Sequence, residues 1–71
     1  MDHPRIQSNF DVMMGKPLIR GTRITVELVL RKLGEGWSVA DLLAAYPNLT
    51  EDDVRAALAF AADHLQQELA E

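Results

Sequence analysis

A mainly α-helical fold is what this 71-residue chain predicts: a three-helix bundle with helix-turn-helix spacing, preceded by a short N-terminal β-hairpin or strands. Three observations carry the expectation. Two stretches place apolar residues at i, i+3, i+4 and i+7, and a third runs an apolar stripe over several turns. Each stretch follows a residue suited to cap a helix start: Thr25, Ser38 and Thr50. Between the stretches stand Gly34, Gly36 and Pro47, residue types that end helices. The chain thus divides into residues 1–24, an arm with short strands and a basic Gly/Pro segment, and residues 25–71, the trihelical part.

In the arm, Arg5-Ile6-Gln7-Ser8 and Asp11-Val12-Met13 read as short strands, with Ser8-Asn9 as the turn between them. Gly15-Lys16 is a second turn, and Leu18-Ile19, after Pro17, suits a further strand. A lone hairpin of this size is barely stable in water, so it lies on the helices or pairs with another chain. Pairing across a two-fold axis would remove an open strand edge, and a homodimer is expected on that ground. The stretch from Gly15 to Arg23 organises the rest. It holds Lys16, Arg20 and Arg23, bent by two glycines and one proline.

Helix one begins at Thr25, with Val26, Val29, Leu30 and Leu33 on one face and Arg31 and Lys32 in the last turn, where cations suit the dipole. Gly36 is expected as its left-handed cap. Helix two has Ser38 and Asp41 as a capping box, with Asp in place of Glu, and Val39, Leu42, Leu43 and Tyr46 as its face. Pro47 stops it, and Asn48-Leu49 turn the chain. Thr50 opens helix three, with Glu51, Asp52 and Asp53 in the first turn. Its core stripe is expected at Val54, Leu58, Ala61, Leu65 and Leu69, with Ala57 beside it and an end near Gln67. Phe60 falls roughly 120° off that stripe, and Trp37 sits in the link between helices one and two. Phe60 either packs under the N-terminal hairpin or anchors a partner, and the same choice is open for Trp37.

Net charge is −4, yet the halves differ: residues 1–33 sum to +3 and residues 34–71 to −7. Such a chain meets an anion with one end and a basic protein, or a copy of itself, with the other. With no cysteine, disulfides and thiolate metal sites are excluded, and a cytoplasmic protein is expected. No apolar run approaches the ~20 residues of a membrane span, and Met1-Asp2-His3-Pro4-Arg5 lacks the apolar core of a signal peptide.

No enzyme constellation stands out. His64 and Glu68 share a helix face at i, i+4, but two ligands without a third make a poor metal site. No phosphate-binding glycine pattern occurs, and Thr22, Thr25 and Ser38 have no histidine base near them in sequence. No catalytic residue, cofactor, metal or small-molecule substrate is expected.

From Gly15-Lys16-Pro17-Leu18-Ile19-Arg20-Gly21-Thr22-Arg23-Ile24 the chain resembles the bacterial domain of unknown function 433 family. The likeness continues through Gly36-Trp37-Ser38-Val39, Tyr46-Pro47-Asn48-Leu49-Thr50 and Asp53-Val54-Arg55-Ala56-Ala57-Leu58. The resemblance implies a homeodomain-like trihelical fold preceded by short strands. The family often has proline where this chain has Thr25, an exchange that keeps the helix start. Several members resemble antitoxins paired with PIN-like ribonuclease toxins. The resemblance therefore implies an antitoxin of a type II pair that inhibits such a nuclease and regulates its own operator DNA. The alternatives are a stand-alone helix-turn-helix regulator or an interaction module that binds no DNA. For DNA, the candidates are Lys16, Arg20 and Arg23, with Arg55 secondary. For a partner protein they are Arg20, Arg23, Trp37, Glu51, Asp52, Asp53, Phe60 and Asp63. Carboxylates on helix three repel phosphate, which makes that helix a poor reader of DNA.

Overall fold

A computed structural model describes residues 3–8 and 15–69, with side chains to residue 66. The expected strand at Asp11–Met13 lies outside the described residues. Two short strands, β1 (Ile6–Gln7) and β2 (Leu18–Ile19), precede three helices: α1 (Val26–Gly34), α2 (Val39–Ala45) and α3 (Glu51–Leu69).

β1 pairs antiparallel with β2, Ile6 opposite Ile19 and Gln7 opposite Leu18. On its other side β2 meets the chain entering α1. Leu18 bridges to Thr25. The Ile19 N–H donates to the Ile24 carbonyl at 2.8 Å, and the Val26 N–H to the Pro17 carbonyl at 3.0 Å. β2 is therefore satisfied along both edges. Its side chains can be wholly buried without leaving backbone polar groups stranded: Leu18 is 1% exposed and Ile19 0%. The hairpin thus lies on the helices.

The helix ends follow their sequence signals. Thr25 Oγ1 accepts from the Leu28 N–H at 2.9 Å. At the other end of α1 the Gly36 N–H reaches the Leu33 carbonyl at 3.0 Å and the Trp37 N–H reaches the Lys32 carbonyl at 3.1 Å. That paired closure needs a left-handed residue, and Gly36 has φ 103°. Ser38 and Asp41 exchange the two hydrogen bonds of a capping box. Tyr46, which leaves the helical region at φ −124° and ψ 87° ahead of Pro47, ends α2.

Two features of α3 differ from expectation. Asp53 is no surface charge: it is 7% exposed and makes a second capping box with Thr50, donating its N–H to Thr50 Oγ1 and accepting the Thr50 N–H at Oδ2, both at 3.1 Å. The buried stripe also lies elsewhere. Val54 and Ala57 are buried and Phe60 packs against the core, whereas Leu58 is 44% and Leu65 56% exposed. Between Val54 and Ala62 only Arg55 is not apolar, so periodicity there defines no single face. The choice is made by the arm, which lies along the Asp53 side of α3 and turns that side inward. The core is Ile6, Ile19, Val26, Val29, Leu42, Leu49, Val54 and Ala57. Among the described residues no helix is long and apolar enough to cross a membrane.

Urea denaturation distinguishes these roles. Asp53→Ala removes the α3 cap and the ion pair with the half-exposed Arg5, an expected loss of about 1–2 kcal/mol. Leu65→Ala and Asp52→Ala are expected within about 0.5 kcal/mol of the parent. A large loss for Leu65→Ala would place that residue in a core it does not join here.

Candidate functional site

The basic segment is held as a rigid turn. Leaving β2, the Arg20 N–H donates to the Arg5 carbonyl at 2.7 Å, and the Thr22 N–H to the Ile19 carbonyl at 3.0 Å. The Thr22 hydroxyl donates to that same carbonyl at 2.8 Å and accepts the Ile24 N–H at 2.9 Å. Gly21 sits at φ 81°, and a Cβ there would meet nothing within 4 Å. Glycine is therefore demanded by the backbone angle and not by crowding.

The four basic candidates have different fates. Arg20 is tied to the arm, its Nε donating to the Pro4 carbonyl at 2.6 Å and Nη1 to Gln7 Oε1 at 3.2 Å. Lys16 pairs with Glu27 at 3.2 Å. Arg55 lies between Glu51 at 3.4 Å and Asp52 at 3.5 Å on its own helix. Arg23 is exposed at the tip of the turn and pairs with no described acid. Glu27, four residues on, is already taken by Lys16 and by Arg31 at 3.0 Å.

The acidic and aromatic candidates are likewise distributed. Glu51 and Asp52 are exposed at the start of α3. Asp63 is half-buried and bonds His3 Nε2 at 2.7 Å. Phe60 meets the His3 ring edge-on at 5.4 Å and stacks on His64 at 5.0 Å, so it packs under the arm as one of the two readings had it. Trp37 is half-buried against the core beneath Lys32, whose Nζ stands 4.8 Å from the ring centre.

Sequence reasoning missed Arg5 and His3. Arg5 donates to Asp53 Oδ1 at 3.1 Å and approaches Asp52 at 3.7 Å. His3, with a side chain 12% exposed, hooks the arm to Asp63. Neither residue had a motif around it, since both partners lie more than forty positions away. The Thr50-x-x-Asp53 box was readable, having the spacing that marked Ser38 and Asp41.

Two carboxylates are held below their usual range. Hydrogen bonds from Lys16 and then Arg31 lower Glu27, with their positive charges adding to the effect. The Ser38 N–H, then its hydroxyl, lowers Asp41. Among the described residues no cluster of three or more His, Cys, Asp or Glu is placed to hold a metal. Among the described residues the chemistry on offer is recognition: a guanidinium with no acidic partner there, on a hydrogen-bonded turn, and an acidic helix start whose single arginine is already neutralised.

This is a three-helix domain carrying a two-stranded antiparallel hairpin at its N-terminus, with its distinctive turn between the two parts. The chain belongs to the family described as Protein of unknown function (DUF433), whose model matches residues 6–61, from β1 into α3. It is 36% identical over 56 residues to "Uncharacterized protein y4eO" of Sinorhizobium fredii, a match covering 79% of this chain and 25% of that protein. It is similar also to the crystal structure of a DUF433 member protein from Anabaena variabilis, at 35% identity and a TM-score of 0.82 over 89% of this chain and 62% of that one. The chain thus spans a quarter of the length of the curated relative and under two-thirds of the solved one.

The Asp41 carboxyl sets a pH dependence. Because its folded pKa is depressed, the α2 cap contributes fully above the unfolded carboxylate value and is lost as pH falls through the folded one. Carboxyl carbon NMR shifts followed against pH are expected to give Asp41 and Glu27 midpoints below those of the urea-unfolded chain. A midpoint for Asp41 at or above the unfolded value would mean that the box is open in solution.

Proposed function

We propose that the chain is the antitoxin of a type II toxin–antitoxin pair, binding and inhibiting a PIN-like ribonuclease through Arg23. The observation that carries this reading is the Arg23 guanidinium, which pairs with no described acid, on a turn fixed by Thr22, Gly21 and the Arg20–Arg5 backbone bond. A nuclease of that class gathers carboxylates around its metal site. A guanidinium presented from backbone that is already ordered can fork onto such carboxylates, and desolvation strengthens the contact. Arg20 serves differently in this reading: its contacts to Pro4 and Gln7 hold the turn in place. The exposed Glu51 and Asp52 steer the approach to a basic RNA groove, a long-range effect that salt screens. Asp53 and Asp63, already engaged with Arg5 and His3, drop out of that role.

Operator binding, in the same reading, falls to the Lys16–Arg23 segment. The outer face of α3 offers phosphate only Arg55, flanked by Glu51 and Asp52. A homodimer would pair through β1, because β2 has both edges occupied. The site of action is the cytoplasm.

Co-expression with a PIN-like nuclease encoded beside this chain, followed by stopped-flow binding, tests the reading. Arg23→Ala is expected to speed dissociation about thirtyfold or more while leaving the fold's stability within about 0.5 kcal/mol. Neutralising Glu51 and Asp52 is expected to slow association and flatten its salt dependence. Parent-like dissociation for Arg23→Ala, or failure to co-purify with the nuclease, would overturn the proposal. Operator binding with a salt slope near ~0.9 per phosphate, and no nuclease partner, would identify a stand-alone regulator instead.

A further inference from the structure

Trp37 is the only tryptophan of the chain and stands where α1 gives way to α2. Its indole is half-buried against the core. The Lys32 ammonium lies 4.8 Å from the ring centre and 3.9 Å from the Glu35 carboxylate. This corner of the fold therefore already holds a cation against an aromatic ring. An open groove continues from the ring along α2, lined by Glu35, Gly36, Trp37, Asp41, Ala44 and Ala45. Two of its properties favour a further positive charge. The Glu35 side chain is 54% exposed and only loosely engaged by Lys32. Asp41 uses Oδ2 for the Ser38 N–H, and its Oδ1 has no bond among the described residues. The carbonyl end of α1, at Gly34, meets the amide end of α2, at Ser38, so the two helix poles at this corner oppose each other. The remaining lining is small: Gly36 adds no side chain, and Ala44 and Ala45 are exposed and leave a shallow apolar track.

We propose that this groove takes an arginine side chain of a protein partner. Its guanidinium lies against Trp37 between the carboxylates of Glu35 and Asp41, and its aliphatic stem runs along Ala44 and Ala45. Arginine fits better than lysine because a planar guanidinium stacks on an aromatic ring and forks onto carboxylates at once. Two carboxylates against one resident ammonium leave the groove net negative by one charge, which names a basic partner surface as the occupant. The groove lies at the opposite end of α1 from Arg23, so the chain offers an arginine at one end of that helix and accepts one at the other. The proposal does not depend on the partner being a nuclease.

Because no other tryptophan contributes, indole emission reports on this groove alone. The full chain is titrated with a capped five-residue alanine peptide carrying two arginines, and with the same peptide carrying citrulline, the neutral isostere. A saturable emission change is expected with the arginine peptide, binding at least about threefold more weakly when citrulline replaces it. Glu35→Gln, which removes a carboxylate and no cap, is expected to weaken binding by a similar factor. Ala44→Arg, at an exposed position of α2, fills the groove with a tethered guanidinium and is expected to abolish the response at unchanged helix content. The proposal is overturned by the lack of a saturable change with the arginine peptide, by an equal response to citrulline, or by an undiminished response in Ala44→Arg.

Discussion

A carboxylate removed from water must find every one of its hydrogen bonds inside the protein, and Asp53 is in that position. It is the single buried charged residue among those described, and it takes the Thr50 N–H on one oxygen and the Arg5 guanidinium on the other. The first bond starts α3. The second draws the arm against α3 and so fixes where β1 lies. β1 in turn positions β2, and the Arg5 carbonyl receives the Arg20 N–H that begins the turn carrying Arg23. A residue within one helix start thereby sets the geometry of a segment thirty positions earlier in the chain.

That linkage explains what sequence could and could not reveal. Local signals were legible: Thr25, Ser38 with Asp41, and Gly36 each act through partners within a few residues, and the structure places all of them as the spacing implied. The α1 and α2 faces were legible for the same reason. α3 was not, because an alanine-rich helix is apolar in most directions and only a distant element decides which direction is inside. Leu58 and Leu65 fit the apolar spacing, yet the arm claims the Asp53 and Phe60 side. The candidate site was half legible. The turn and its basic residues were visible in sequence, but the sorting of Arg20 from Arg23 depends on Pro4 and Gln7 across the hairpin.

The uneven charge of the chain acquires another meaning in three dimensions. Read linearly, a positive first half and a negative second half face outward to different partners. In the fold, part of that opposition is satisfied at home, where Arg5 of the first half meets Asp53 and Asp52 of the second. Arg23 stays outside that set. Exposed pairs such as Lys16–Glu27 contribute little to stability, while the nearly buried Asp53 contact is sensitive to loss of either partner. The charge pattern therefore serves assembly of the arm first and recognition second.

β2 lies between two lengths of backbone, one from the arm and one from the start of α1. Of the two, only the α1 side belongs to the same continuous stretch as the helices, since β1 reaches β2 through the intervening residues 8–17. The arm is thus an exchangeable part. A chain cut after β1 would keep its helices but expose an unpaired ladder above two wholly buried side chains, and such a ladder recruits the nearest strand of the right hand. In a concentrated solution of the shortened chain the nearest such strand is the equally exposed β2 of a neighbour, so shortening this protein at its N-terminus invites pairing between copies rather than a smaller monomer.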